Sequence, residues 1–295
     1  MNCSSSNTLN RTPGRLRRRL LACDLDGTLV GRDHKILDAD LAAIRAAREA
    51  GLHIAICTGR NSRESVAVAD ALEISGPGVF VNGATVCDMN SGKILWARTI
   101  PVDLCRNLVD FIGRLGHAVL ILTHDPHDSL PEYFITDSAP PHRATSEWLL
   151  SHQTHAQPCA RIQPPWDTQI MRLTIVVNVG DSDGMVRQLH EKFGDAIHTE
   201  NLQSPVYDCH VVEVLNGGVN KWTGVRQLCR LINLDPADAV AIGDDVNDLA
   251  MLHGASLSFA MGTAPDAVKQ AAKRVTAAQA QCGVAQAIRE ILDGA

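Results

Sequence analysis

Short apolar segments alternate with segments of helical pattern at both ends of this chain, and no other feature constrains its fold as strongly. In the first part, the strand candidates are "RLLACD", "LHIAICT" and "GVFVN", and the helix candidates between them are "ADLAAIRAAREA" and "NSRESVAVADAL". From residue 219, the helix candidates "VNKWTGVRQLCRLI" and "VNDLAMLH" alternate with the strand candidates "AVAIGD" and "SLSFAM". Parallel strands covered on both faces read as nearly continuous apolar runs. The pattern therefore predicts an α/β protein with a Rossmann-like, doubly wound parallel sheet.

The middle of the chain has a different character. Its strand candidates, such as "KILWARTI", "EYFITD" and "YDCHVVEV", are of mixed polarity, and "DSAPPH" and "RIQPPW" indicate loops. We predict a core formed by residues 17–84 and 213–295, with a second α/β unit inserted at 85–212. Residues 1–16 are predicted to be a flexible basic tail, because the first 19 residues hold five arginines and no acidic residue. An organelle-targeting segment is the alternative interpretation of that composition.

Composition argues against several classes of partner. The formal charge of the 295 residues is −6, which does not favour binding to nucleic acid or to an anionic membrane. No apolar run approaches the roughly 18 residues that a membrane span requires. Nine cysteines are scattered without CxxC spacing, as is typical of reduced thiols in a cytoplasmic protein. No feature of the sequence specifies an oligomeric state.

Polar side chains follow the ends of the predicted core strands. Asp24 and Asp26 follow the first strand in "DLDGT", Thr58 and Gly59 follow the second in "CTGR", and a further strand ends in "GDDVND". Lys221 lies near the start of the helix that follows the insertion. Each piece alone is typical of a turn or of a solvated helix residue. Because ligands of open α/β sheets bind at the carboxyl ends of the strands, we expect these residues to form one site.

The chemistry of these residues indicates phosphoryl transfer. Two carboxylates about 4 Å apart repel each other by on the order of 4 kcal/mol at an effective dielectric constant near 20. Mg²⁺ held by Asp24, Asp26 and Asp244 would offset that repulsion and let a carboxylate approach an anionic phosphate. Thr58 and loop amides could hold phosphate oxygens, while Lys221 neutralises charge on the transferring group. One carboxylate could then act as nucleophile and its neighbour as general acid and base.

At these positions the chain resembles the haloacid dehalogenase (HAD) superfamily of aspartate-dependent phosphohydrolases. The segments "DLDGTLV", "CTGR", "GVNK" and "GDDVND" match its four motifs in order, and "FVNGATV" and the C-terminal segment resemble the Cof-type branch. The resemblance implies that residues 85–212 form an α/β cap that sets substrate specificity. It also implies a phosphatase that needs Mg²⁺, forms an aspartyl-phosphate and acts on a small phosphorylated metabolite such as a sugar phosphate.

The resemblance also implies a role for each matching carboxylate. Asp24 is expected to be the nucleophile and a Mg²⁺ ligand. Asp26 is expected to be the general acid and base, with its main-chain carbonyl on the metal. Asp244 is expected to complete the metal site, and Asp248 to support it from nearby.

The remaining matching positions are expected to bind the substrate. Thr58 and Gly59 would bind the phosphoryl group, Lys221 would clamp it together with Asp24, and Asn247 would contact the phosphate or its surroundings. The residue after Lys221 is Trp222, whereas the branch commonly has glycine there. We expect this difference to affect local packing and not the chemistry of the site.

Two histidines in the inserted unit are further candidates. His124 and His127, in "THDPHD", directly follow an apolar strand, and either could contact the substrate. The alternative is that they are exposed histidines without a ligand.

Three other functions compete with this prediction. "CTGRNSR" has the C-x5-R spacing of cysteine-dependent phosphatases, with Cys57 as nucleophile and Arg63 as phosphate ligand. A phosphomutase of the same superfamily would move phosphate within a sugar rather than to water. A non-catalytic sugar-phosphate binding module would hold the same ligand without turnover.

Overall fold

The computed structural model describes residues 20–124, 131–160 and 169–294, so the predicted tail at 1–16 lies outside the described residues. The strands of the core region are β1 (Leu20–Cys23), β2 (His53–Ile56), β3 (Pro77–Phe80), β4 (Thr85–Asp88), β5 (Ile94–Ala97), β12 (Ala239–Gly243), β13 (Leu257–Ala260) and β14 (Arg274–Val275). Its helices are α1 (Asp38–Glu49), α2 (Val66–Ala71), α6 (Lys221–Leu231), α7 (Leu249–Gly254), α8 (Asp266–Ala271) and α9 (Gly283–Asp293). Within the described ranges, no helix combines the length and apolarity needed to cross a bilayer.

A five-stranded parallel sheet with the order β14-β13-β12-β1-β2 forms the centre of the core. Successive residues of β1 are buried on opposite faces of this sheet. Leu21 packs in one apolar cluster with Ile44 of α1, and Leu20 packs in another with Val225 of α6. This two-sided burial explains the continuous apolar runs, and the predicted α/β fold class is confirmed.

The second unit, called the cap below, is a six-stranded sheet with two of its helices on one face and the third, which carries Trp148, against Tyr133 on the other. Its elements are α3 (Val102–Arg114), β6 (Leu120–His124), β7 (Tyr133–Thr136), α4 (Arg143–Ser151), β8 (Ala156–Cys159), β9 (Gln169–Asn178), α5 (Ser182–Phe193), β10 (Ile197–Ser204) and β11 (Cys209–Asn216). The strand order is β10-β11-β9-β6-β7-β8. Leu173 of β9 packs in one cluster with Leu108 of α3 and Leu189 of α5. Because strand side chains alternate, Arg172 projects from the opposite face, where it contacts Gly59 of the core.

Strand pairing continues across both predicted boundaries of the insertion, 84/85 and 212/213. Strands β4 and β5, which the sequence placed in the insertion, pair antiparallel with β3. A parallel bridge between Cys57 and Val79 ties β3 to the end of β2. Strand β11, in contrast, stays in the cap sheet through Asn216. The mixed polarity of "KILWARTI" reflects the partly exposed position of β5 at the edge of the small sheet.

Trp222 fills a space beside a glycine of the next helix. A Cβ placed on Gly254 of α7 would lie 2.2 Å from Cε2 of Trp222, so the indole lies directly against the α7 backbone. The departure from the family pattern is thus accommodated by packing between α6 and α7.

Candidate active site

The carboxyl end of β1 places Asp24 next to the first residue of α6. Asp24 is 5% exposed and Lys221 is fully buried. The Lys221 Nζ donates to Oδ1 of Asp24 over 2.6 Å. Helix α6 begins here because Asn220 caps it, with its Oδ1 accepting from the Thr223 amide over 2.9 Å. The cap residue therefore fixes the point at which the lysine enters the site.

Asp248 holds the same lysine from the other side. Its Oδ1 accepts from Lys221 Nζ over 2.6 Å, and its Oδ2 accepts from the amides of Asp244 and Asp245 over 2.8 and 3.2 Å. Asp248 and Asp245 form a capping box on the short helix at 246–248. Both oxygens of this buried carboxylate are engaged within the protein, so Asp248 orients the lysine and the turn that carries Asp244.

Asp244 extends from the end of β12 toward the loop after β1. Thr28 donates from Oγ1 to Oδ1 of Asp244 over 2.9 Å. Gly27 has φ +86°, and a Cβ there would lie 2.1 Å from Oδ2 of Asp244. Only glycine fits this position, because it takes up the left-handed conformation and leaves room for the carboxylate. The loop is thus shaped around the Asp244 side chain.

Three carboxylates converge in this site. Oxygen atoms of Asp24, Asp244 and Asp248 all lie within 4.8 Å of one another. Lys221 supplies one positive charge against three negative ones. Burial raises the pKa of Asp24, although Lys221 opposes the shift. Burial and the nearby Asp248 raise the pKa of Asp244 to about 7. An all-oxygen donor set with excess negative charge fits a hard cation such as Mg²⁺.

Burial alone would lower the pKa of Lys221, but the carboxylates of Asp24 and Asp248 outweigh it and raise the pKa above its ordinary value. The lysine therefore stays charged at neutral pH. A fixed ammonium next to Asp24 can neutralise an anionic group that approaches this carboxylate.

Asp26 lies at the exposed side of the site and pairs with an arginine. Its side chain is 56% exposed, and both of its oxygens accept from Arg60, one of them from Nε over 2.7 Å. The Arg60 amide donates to Thr58 Oγ1 over 3.2 Å. The first two motif loops are therefore linked side by side, with Asp26 held at their outer edge.

The loop after β2 carries Thr58 and Gly59 against a second loop. The Thr58 amide donates to the Val79 carbonyl over 3.0 Å, and its carbonyl accepts from the Asn82 amide over 3.1 Å. Asn82 has φ +51° and is fully buried. Its Oδ1 accepts from Asn247 Nδ2 over 3.0 Å. Asn247 thus reaches the Thr58–Gly59 loop through Asn82.

Cys57 does not have the environment of a nucleophile. Its thiol is fully buried, and its Sγ lies 4.0 Å from the Lys221 carbonyl. Burial raises the pKa of this thiol, which opposes formation of a thiolate. The Arg63 side chain lies 3.9 Å from a carboxylate oxygen of Glu132 in the cap. The geometry does not favour the cysteine-dependent alternative.

His124 ends β6 and lines a cavity of about 490 Å³ between cap and core, together with Asn61 and Arg63. Asp24 is not among the residues that line this cavity. His127 lies outside the described residues.

Sequence reasoning missed five residues that the structure brings to the site: Thr28, Arg60, Asn82, Arg172 and Glu213. Thr28 and Arg60 stand inside the quoted motifs "DLDGT" and "CTGR", and Asn82 stands in "FVNGATV". Their positions within these motifs could have identified them as site residues. The two cap residues stand in no motif.

Comparison with known proteins gives the class of the enzyme. A sequence profile of haloacid dehalogenase-like hydrolases matches residues 21–288. The chain therefore belongs to the haloacid dehalogenase-like hydrolase family, which confirms the Cof-type HAD resemblance and the enzyme class predicted from the motifs.

Individual relatives extend over nearly the whole chain. It is 28% identical over 276 residues to the 5-amino-6-(5-phospho-D-ribitylamino)uracil phosphatase YitU of Bacillus subtilis, covering 92% of this chain and 96% of that protein. It is 26% identical over 277 residues to the pyridoxal phosphate phosphatase YbhA of Escherichia coli, covering 92% and 97%. A HAD phosphatase of known structure from Bacteroides thetaiotaomicron shares the fold with a TM-score of 0.77 at 19% identity, covering 97% and 99%.

Proposed function

We propose that this protein is a Mg²⁺-dependent phosphomonoester hydrolase that acts on a small phosphorylated metabolite through an aspartyl-phosphate intermediate. One observation carries the proposal: the buried carboxylate of Asp24 lies 2.6 Å from the Lys221 ammonium and within 4.8 Å of the other acidic oxygens. This arrangement supports roles for Asp24 as nucleophile, for Lys221 as a fixed positive charge and for the acidic oxygens as a donor set at one end of the sheet.

The metal would be held by side-chain oxygens of Asp24 and Asp244. The family resemblance adds the main-chain carbonyl of Asp26. Asp248 would act by orienting Asp244 and Lys221, because its own oxygens are already engaged. When bound, Mg²⁺ supplies positive charge that reduces repulsion between the nucleophile and the phosphate.

The remaining chemistry follows from the chain's own residues. Asp24 attacks phosphorus, so an oxygen–phosphorus bond forms and the ester oxygen leaves, taking a proton from Asp26. Lys221 and Thr58 stabilise the charge on the phosphoryl oxygens. Asp26 then takes a proton from water, the water oxygen attacks phosphorus, and Asp24 is released together with inorganic phosphate.

The relatives support hydrolysis of a small metabolite. The two named above are phosphatases of a ribitylaminouracil phosphate and of pyridoxal phosphate, and these substrates support a small phosphorylated metabolite here. The eight cysteines in the described part of the chain are all free thiols. This supports the proposed location in the reducing cytoplasm.

Phosphate release from a panel of phosphorylated sugars and cofactors tests the proposal. We expect turnover that EDTA abolishes and Mg²⁺ restores, with a phosphorylated peptide containing Asp24 after rapid acid quench. Turnover that resists EDTA but is lost in Cys57→Ser would contradict the proposal in favour of the thiol. Isomerised sugar phosphate without release of inorganic phosphate would indicate a mutase, and tight binding without turnover would indicate a binding module.

A further inference from the structure

Two oppositely charged residues of the cap form a buried ion pair next to the core. Arg172 of β9 and Glu213 of β11 are 7% and 6% exposed. Arg172 Nη1 lies 2.8 Å from Oε1 of Glu213. Burial raises the pKa of Glu213, but Arg172 opposes that shift. The pair lies on the face of the cap sheet that is turned toward the core.

Each member of this pair also contacts a core loop. The same Arg172 Nη1 donates to the Gly59 carbonyl over 2.8 Å. Asn82 Nδ2 donates to Oε2 of Glu213 over 2.7 Å. Asn82 in turn accepts from Asn247 over 3.0 Å. The ion pair of the cap therefore contacts Gly59 directly and Asn247 through the side chain of Asn82. Both Gly59 and Asn247 are proposed to bind phosphate.

The core loop at Thr58 and Gly59 is packed tightly against Asn82. A Cβ on Gly59 would lie 3.1 Å from Oδ1 of Asn82. Asn82 holds the left-handed conformation, which restricts its backbone, and its amide donates to Thr58. A shift of the Asn82 side chain would therefore move the Thr58–Gly59 turn.

Stability alone does not account for the pair. Burying two charges carries a desolvation cost that an apolar pair of similar volume would avoid. Arg172 Nε is a buried donor without a hydrogen-bond partner among the described residues, which adds to that cost. The contacts to Gly59 and Asn82 are what an apolar pair could not supply.

We infer that Arg172 and Glu213 are positioning residues that align the phosphate-binding groups of the core, so that this site is complete only when the cap is seated. The inference rests on the proposed function, since it concerns phosphate binding in the same site. The cap thereby does more than cover the substrate: its ion pair sets the direction of the Gly59 carbonyl and the place of Asn82.

Single and paired substitutions separate positioning from stability. Arg172→Met and Glu213→Gln should each lower kcat/KM roughly 10- to 100-fold and weaken competitive inhibition by inorganic phosphate to a similar extent, because small misplacements are costly in such sites. The double variant Arg172→Met with Glu213→Leu should recover much of the melting temperature that the single variants lose, since no charge is left unpaired. It should not recover kcat/KM or phosphate inhibition. Recovery of all three would overturn the inference.

Asn201→Ala is the matched control in the cap. Asn201 bonds to Ser182 and His210 within the cap, at 3.1 and 3.0 Å, so its loss should lower the melting temperature and leave kcat/KM unchanged. If the ion-pair variants behave like this control, their role is structural and the inference is wrong.

Amide hydrogen exchange provides a readout that does not depend on turnover. In the peptide spanning residues 57–65, exchange should be faster in Glu213→Gln than in the wild type, and unchanged in Asn201→Ala. Equal exchange in all three proteins would overturn the inference. If the wild type hydrolyses no phosphomonoester, the proposed function fails, while the exchange result still decides whether the pair positions the loop.

Discussion

Lys221 donates to Asp24 over 2.6 Å at a buried position, although 197 positions separate the two residues in the chain. The same ammonium contacts Asp248 at an equal distance. The lysine thus lies between a carboxylate proposed to react and a carboxylate proposed to orient it. Rigid placement of this kind is what electrostatic stabilisation of a transferring phosphoryl group requires.

Asp24→Asn should abolish turnover without unfolding the protein. An amide cannot attack phosphorus, and loss of a nucleophile commonly costs on the order of 10⁴-fold or more in kcat. The neutral amide is less costly to bury than a carboxylate, and Lys221 keeps Asp248 as a partner. The melting temperature should stay within a few degrees of the wild type. Asp266→Asn, at an exposed position, is the control and should retain full activity; a fully active Asp24→Asn would contradict the assigned nucleophile.

Asp26→Ala should lower kcat/KM by roughly 10²- to 10⁴-fold on alkyl phosphates. The deficit should be much smaller on p-nitrophenyl phosphate, because p-nitrophenolate leaves without protonation. The measurement is a comparison of kcat/KM for the two substrate types at one pH, because this ratio does not include hydrolysis of the aspartyl-phosphate, the step that both substrates share. Asp33→Ala removes an exposed carboxylate of the next loop and should change neither rate. An equal loss on both substrates would show that Asp26 does not act as the general acid.

Gly27→Ala should impair the metal site specifically. The new Cβ would collide with Asp244, so we expect the Mg²⁺ concentration for half-maximal phosphate release to rise about 10- to 100-fold. Gly51→Ala is the matched control, since Gly51 has φ +91° and no heavy atom within 4 Å of its Cβ position. Both variants should lose about 1–2 kcal/mol of stability through backbone strain, but only Gly27→Ala should alter the Mg²⁺ titration.

Asp40→Asn should stabilise the protein at neutral pH but not in acid. Asp40 is fully buried, and its Oδ1 accepts from the Ala285 amide over 2.8 Å while Oδ2 has no partner in the described part of the chain. Burial raises its pKa above the ordinary 3.8, although the Ala285 amide opposes the shift. The folded protein then binds more protons than the unfolded chain between the two pKa values, so stability falls as pH rises through this window.

The asparagine variant removes that titration. Its melting temperature should exceed that of the wild type by a few degrees at pH 7, and the gain should vanish below pH 3.8, where Asp40 is protonated in both states. Thermal unfolding at both pH values measures the difference. A gain of the same size at both would show that Asp40 does not titrate as described.

The fold class and the centre of the site were predictable from local sequence. Apolar runs such as β1 can be buried on two faces only in a covered parallel sheet, and the carboxyl ends of such strands meet at one edge. Asp24, Thr58 and Asp244 stand directly after such runs, and Lys221 stands at a helix start with an asparagine cap. Their convergence follows from the topology, so the sequence by itself determined which side chains meet at the centre of the site.

Other features were decided only by the tertiary structure. The β4–β5 hairpin pairs with β3 in a small sheet beside the core sheet, a pairing that mixed polarity does not reveal. Arg172 and Glu213 stand in cap strands without a motif, and their place depends on strand register and on how the cap sits above Gly59. Contacts between separate sheets depend on the geometry of the whole chain, because no local pattern encodes the distance between two surfaces that meet only after folding.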